Sequence, residues 1–274
     1  MDLLMASTRY PTTPAEWSTA RRRTVGPFTT HITYRRDDGR TVEWSSRGHR
    51  KHASRLSRAS WWIAVLFAAG SLCFLIAPIP AFLDLVGPAA DGLVFFVGSI
   101  LFTAAAGLQW LETINAERGP GRRRWRLLTF EPRRIDWWSC GVQLVGTLYF
   151  NVTTFQALRV GLDSADYDRL VWRPDAIGSL CFLISGYLAY VEVTGHLLGR
   201  PRRTLESAIA SVNLLGCLAF GASAVASYVV PSADAELGPA LVNTGTALGA
   251  LCFLIGALLL FPEGTHEARS AARR

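Results

Sequence analysis

Gly178-Ser179-Leu180-Cys181-Phe182 lies inside a window, 176 to 191, that holds no Asp, Glu, Lys, Arg or His. The same pattern, Gly-x-[Leu/Ile]-x-Phe, occurs in five further uncharged windows: Gly70 to Phe74 in 61 to 80, Gly98 to Phe102 in 92 to 111, Gly146 to Phe150 in 137 to 158, Gly216 to Phe220 in 207 to 230, and Gly249 to Phe253 in 239 to 261. At 1.5 Å rise per residue, stretches of about twenty residues cover most or all of a hydrocarbon core about 30 Å thick. The six windows therefore predict six transmembrane helices in an all-α membrane protein.

A pattern that returns once in every helix marks an internal repeat. The second, fourth and sixth windows share a Glu fourteen residues after the Gly, at Glu112, Glu192 and Glu263. The first and third share Arg-x-x-Trp-Trp ahead of it, as Arg58-Trp61-Trp62 and Arg134-Trp137-Trp138. The unit is thus a helical hairpin occurring three times, over 60–116, 133–193 and 204–263. Hairpins that all enter and leave on one side are parallel repeats, which predicts a pseudo-three-fold bundle about an axis along the membrane normal. Gly and its small neighbours allow the close helix approach that membrane packing requires.

Charge sets the orientation. Of the 28 Lys and Arg residues only Arg159, Arg169 and Arg173 fall on one side of the six windows, and the positive-inside rule puts the rest, with both termini, in the cytoplasm of a bacterial inner membrane. A net charge of +7 then follows from membrane topology, and nucleic-acid binding is not needed to account for it. The first apolar run begins about sixty residues in, behind a polar arm, so a cleaved signal peptide is not expected. All five Cys lie in the apolar windows, where they serve as small packing side chains.

Residues 1–25, with Arg21-Arg22-Arg23, offer little to bury and are expected to be a disordered basic arm. Between 26 and 59, Phe28, Ile32 and Tyr34 alternate with polar residues, Asp38-Gly39 signals a turn, and Val42 and Trp44 alternate on the return. This predicts a small cytoplasmic β-hairpin. A hairpin alone is marginal, so it should pack on a cytoplasmic loop or a protein partner. A basic juxtamembrane segment follows, suited to anionic phospholipid headgroups. Residues 264–274 form a cytoplasmic tail.

The apolar hairpin with Gly-[Ser/Ala]-[Ile/Leu]-[Leu/Cys]-Phe in its second helix, as in Gly178 to Phe182, resembles the YrhK-like domain, a two-helix bacterial membrane module, and the whole layout is similar to six-span actinobacterial membrane proteins. The resemblance implies the architecture and no known activity.

Two constellations are candidates for chemistry. Glu112, Glu192 and Glu263 sit at equivalent helix ends, with His196 four residues after Glu192 and His266 three after Glu263. That spacing places carboxylate and imidazole on one helix face, as a cytoplasmic ring for a cation would need, whereas pairing of each Glu with Arg58, Arg134 or Arg203 is the simpler account. Gln143, Asn213 and Asn243 could line an intramembrane polar path, and helix-to-helix hydrogen bonding is the simpler account there too. No catalytic residue, metal site or cofactor is assigned. The spans hold no His for a buried haem, no Lys for a Schiff base and no carboxylate for an ion relay, and phosphate-binding-loop, nucleophile-elbow and zincin motifs are missing. Three functions stay open: a non-enzymatic structural or regulatory membrane component, a passive channel along the axis, and a membrane-interface enzyme on lipid substrates. A dry axis packed with Phe and Leu would exclude the channel.

Overall fold

A computed structural model of the chain describes residues 18–35, 38–45, 57–115, 126–159, 162–230 and 235–272. Three strands come first: β1 (Ser18–Val25), β2 (Phe28–Arg35) and β3 (Thr41–Ser45). The long helices follow as α1 (Ser57–Ile76), α3 (Pro88–Asn115), α4 (Ile135–Gln156), α6 (Arg173–Thr194), α7 (Leu205–Ala226) and α8 (Pro239–Ala272). Short elements join them at the end opposite the strands: α2 (Pro80–Val86), α5 (Ser164–Tyr167), and a two-stranded ribbon of β4 (Val229–Val230) and β5 (Ala235–Glu236).

Among the described residues, five helical stretches are long and apolar enough to cross a membrane: Ala59–Ile76, Pro88–Asn115, Ser164–Thr194, Leu205–Ala226 and Pro239–Phe261. The third is longer than its uncharged window because α5 and a π-helical turn over Asp168–Trp172 run without a break into α6. Helix α4 is as long as α7, 22 residues each, but carries Asp136, Gln143, Asn151 and Gln156. Several of its polar groups find partners on neighbouring helices. Asn151 Nδ2 donates to Thr103 Oγ1 on α3 (2.9 Å), Thr154 Oγ1 meets Ser99 Oγ (2.9 Å), and Ser139 and Ser185 each donate to the other's carbonyl. Within the π turn, the Val171 carbonyl accepts from Thr153 Oγ1 (3.1 Å).

Each long helix packs on the next, and α8 closes the ring on α1. Within each hairpin the same contact recurs. A Cβ added at Gly70, Gly146 or Gly216 would lie 3.1 Å from the carbonyl oxygen of Gly98, Gly178 or Gly249, respectively, so these backbones meet where only a hydrogen fits. Cys73, Cys181 and Cys252 lie against Gly98, Gly146 and Gly216, within about 3 Å of where a Cβ would stand.

The six Phe of the pattern meet at the centre of the ring. Phe102, Phe182 and Phe253 form a triangle with centroids 5.8 to 6.3 Å apart. Phe220 lies 6.0 Å from both Phe74 and Phe150 in a second layer, and each hairpin links the layers through its own pair at 5.0 to 5.7 Å. Most of these contacts are edge-to-face, the arrangement that matches a ring's positive edge to its neighbour's negative face. Together with Ser99 the rings leave about 10 Å³ between them, at the lower limit for one water.

Strands β2 and β3 form the expected hairpin, with Ile32 opposite Trp44 and Tyr34 opposite Val42. Gly39 takes φ 78° at the turn, and Asp38 Oδ1 accepts from the Arg40 amide (2.9 Å). The expectation that residues 1–25 are disordered is corrected for 18–25, which form β1 against β2, while 1–17 lie outside the described residues. Gly26, at φ 55°, opens a two-residue turn with Pro27, and backbone pairing then needs no apolar run in β1. The sheet docks through Val25 and Phe28 on Ile135 of α4 and on Leu188 and Val191 of α6. The Thr29 amide also reaches the Arg133 carbonyl at 3.4 Å. The boundary expected at 263 is no break in the backbone, because α8 continues to Ala272.

Candidate functional site

Among the described residues, Glu112, Glu192 and His196 are not brought together as a ring. Glu112 accepts from Ser60 Oγ at 2.8 Å, which ties the end of α3 to the start of α1. Glu192 is 2% exposed and engaged, whereas His196 is exposed. Spacing of four would have placed them on one face of a continuous helix, but α6 ends at Thr194 and Gly195 turns left-handed at φ 71°, so His196 leaves in another direction. Glu263 and His266 are on the backbone of α8, and their side chains lie outside the described residues. Among the described residues no three His, Cys, Asp or Glu are grouped to hold a metal ion.

The polar path is not assembled either. Asn213 is half-buried two turns into α7, with Oδ1 2.2 Å from where a Cβ on Gly256 would stand, so its amide lies flat on the α8 backbone. Asn243 is exposed in the first turns of α8, at the opposite end of the bundle. Gln143 is half-buried on α4. None of the three touches the space between the rings.

The strongest electrostatic feature was not singled out as a site from sequence. Arg134, the residue capping the start of α4, is 5% exposed, and Asp136 is fully buried. The Arg134 guanidinium donates to both oxygens of Asp136, through Nε at 3.0 Å and through Nη2. Its Nη1 donates to Glu131 Oε2 (2.7 Å) and its Nη2 to the Thr113 carbonyl (3.1 Å). A planar fork against a carboxylate is the strongest form of such a bond, and here it joins the end of α3, the following loop and the start of α4. Arg134 thus pairs with Asp136 and Glu131, which the expected pairing with a helix-end Glu had not included. The signal available was Pro132-Arg133-Arg134-Ile135-Asp136, an acid in a first helical turn directly after a basic pair.

Aromatic tips fasten the loops at this end. Trp110, Trp137 and Trp138 donate their indole N–H groups to the carbonyls of Leu127 (3.1 Å), Thr129 (2.7 Å) and Pro132 (3.0 Å). In the next loop, Tyr187 and Tyr190 donate to the carbonyls of Leu197 (3.0 Å) and Gly199 (2.8 Å).

The chain matches no known family model, no curated protein and no solved structure in the comparisons made. The geometry above therefore carries the functional reading by itself.

Proposed function

We propose that this is a six-span inner-membrane protein, made of three like hairpins about a pseudo-three-fold axis with both termini cytoplasmic, that works as a non-enzymatic structural or regulatory component. One observation carries the reading: the six rings that meet on the axis and leave about 10 Å³ between them. A pore needs a hydrated or wettable path, and the residues that would have supplied one, Gln143, Asn213 and Asn243, are apart from the rings. An enzyme at the headgroup level would need Glu112, Glu192, His196 and Glu263 to converge on one cleft; against that, Glu112 is held by Ser60, Glu192 is buried and His196 is exposed beyond the helix end at Gly195. Helix α4 fits as the sixth span because its length equals that of α7, its Gly146 makes the contact that Gly70 and Gly216 make, and its Ser139, Asn151, Thr153 and Thr154 donate hydrogen bonds within the ring. Its partners are then the bilayer, anionic headgroups at the basic face, and a protein engaging the folded sheet.

Reconstituted in liposomes, the chain is expected to leave potassium and proton flux at the level of protein-free vesicles. Flux above that level, lost with Gln143→Leu and Asn213→Leu, would overturn the reading in favour of a channel.

A further inference from the structure

The two loops that join the three hairpins at the sheet-bearing end share a construction. Each carries a pair of leucines turned away from the protein: Leu127 and Leu128 at 73% and 83% exposure, Leu197 and Leu198 at 57% and 95%. Each continues to Pro-Arg-Arg, as Pro132-Arg133-Arg134 and Pro201-Arg202-Arg203, of which Arg133, Arg202 and Arg203 are exposed. In both, the carbonyl of the first leucine is held by an aromatic side chain of the preceding helix, Trp110 on Leu127 and Tyr187 on Leu197.

Trp and Tyr settle at the membrane–water boundary, apolar body inward and polar tip outward. A loop hydrogen-bonded to those tips is held at the same depth, so the leucine pairs stand beside acyl chains and the arginines a few residues on at the level of phosphate. Side chains so exposed in water would be costly, and the same side chains at the acyl boundary are buried. Basic residues near a surface are drawn to anionic lipid.

We propose that these two loops are paired lipid feet. Leu127–Leu128 and Leu197–Leu198 insert into the leaflet at the sheet-bearing end, and Arg133, Arg202 and Arg203 bind anionic phospholipid headgroups around them. The inference rests on the six-span reading above, which makes this the cytoplasmic leaflet. It differs from the general basicity of that face in naming a shallow insertion and the three arginines that go with it.

The test uses the full chain in lipid nanodiscs, with single Leu128→Cys, Leu198→Cys and Leu148→Cys variants carrying a bimane label and the parent chain as labelling background. Leu148 lies half-exposed on α4 and probes the sixth span. Labels at 128 and 198 are expected to be quenched by phospholipid brominated high in the acyl chain and shielded from aqueous iodide, and the label at 148 by deeply brominated lipid. With about a third of the lipid as brominated phosphatidylglycerol, quenching at 128 and 198 should exceed that from brominated phosphatidylcholine, and Arg133→Ala/Arg202→Ala/Arg203→Ala should cut the preference by about fivefold or more. Iodide access at 128 and 198 without lipid quenching, while 148 is still quenched, overturns the feet and leaves the six spans standing; a protein covering the leucines would give no lipid quenching either. Lipid quenching indifferent to headgroup overturns the role of the arginines. Loss of deep quenching at 148 overturns the six-span reading, and the feet with it.

Discussion

At the middle of the bundle each hairpin supplies the same two glycines and the same two rings, whereas at the sheet-bearing end, among the described residues, the sheet docks on α4 and α6 and the buried arginine pair stands at the start of α4. The middle is repetition used as packing: one small residue and one large one, placed alike three times, fill a ring of six helices. The end is repetition abandoned. A contact made by one hairpin alone places no demand on the other two, so departures from the repeat are where this chain distinguishes its ends.

That contrast can be broken at several points. The largest effect is expected from Asp136→Ala, which takes from the buried Arg134 the carboxylate that meets two of its nitrogens, leaves it to Glu131, and should cost about 3 kcal/mol. Unfolding of the purified protein in mixed micelles measures it, and a loss below about 1 kcal/mol would make the pair incidental. Next come the rings. Phe102→Ala, Phe182→Ala and Phe253→Ala should each cost about 3 kcal/mol and agree within about 1 kcal/mol, because each opens a like void in one triangle. Unequal losses would mean that the three positions are alike in sequence only. Gly256→Ala, which drives a methyl group into Asn213, should cost about 1–3 kcal/mol, and most of that should return with Asn213→Ala in the same chain. Thr154→Val removes the hydroxyl contact with Ser99 and should cost only about 0.6 kcal/mol, the usual worth of a hydrogen bond between spans.

What could be read from the sequence follows the same division. The Gly and Phe positions were legible because a residue needed in every copy is written in every copy. The β2–β3 register was legible in the alternation about Asp38-Gly39. Strand β1 was not: Arg21 and Arg23 are exposed, and β1 forms because β2 offers a backbone edge, which composition does not encode. His196 was placed on the face of Glu192 because spacing assumes a continuous helix, and Gly195 ends it. The length of the apolar helical stretch Ser164–Thr194 was underestimated because Asp166, Asp168, Arg169 and Arg173 interrupt the apolar run. In the structure they pair with one another, Arg169 with Asp166 at 3.1 Å and Arg173 with Asp168 at 2.8 Å, and the helix passes through them. The Arg134 pair was half legible, since its residues were visible as helix-start charges but their burial depends on how α3 and the loop fold over them.

The ring of Phe side chains also bears on how the protein meets the membrane potential. A field of 100 mV does about 2.3 kcal/mol of work on each elementary charge carried fully across the bilayer. The six apolar windows hold no Asp, Glu, Lys, Arg or His, and the rings leave only about 10 Å³ between them, too little for a water column to focus the field. On the six-span topology the bundle has no gating charge to displace and should show no gating current. On that topology it is expected to be electrically silent, so a change of its state would begin at its ends.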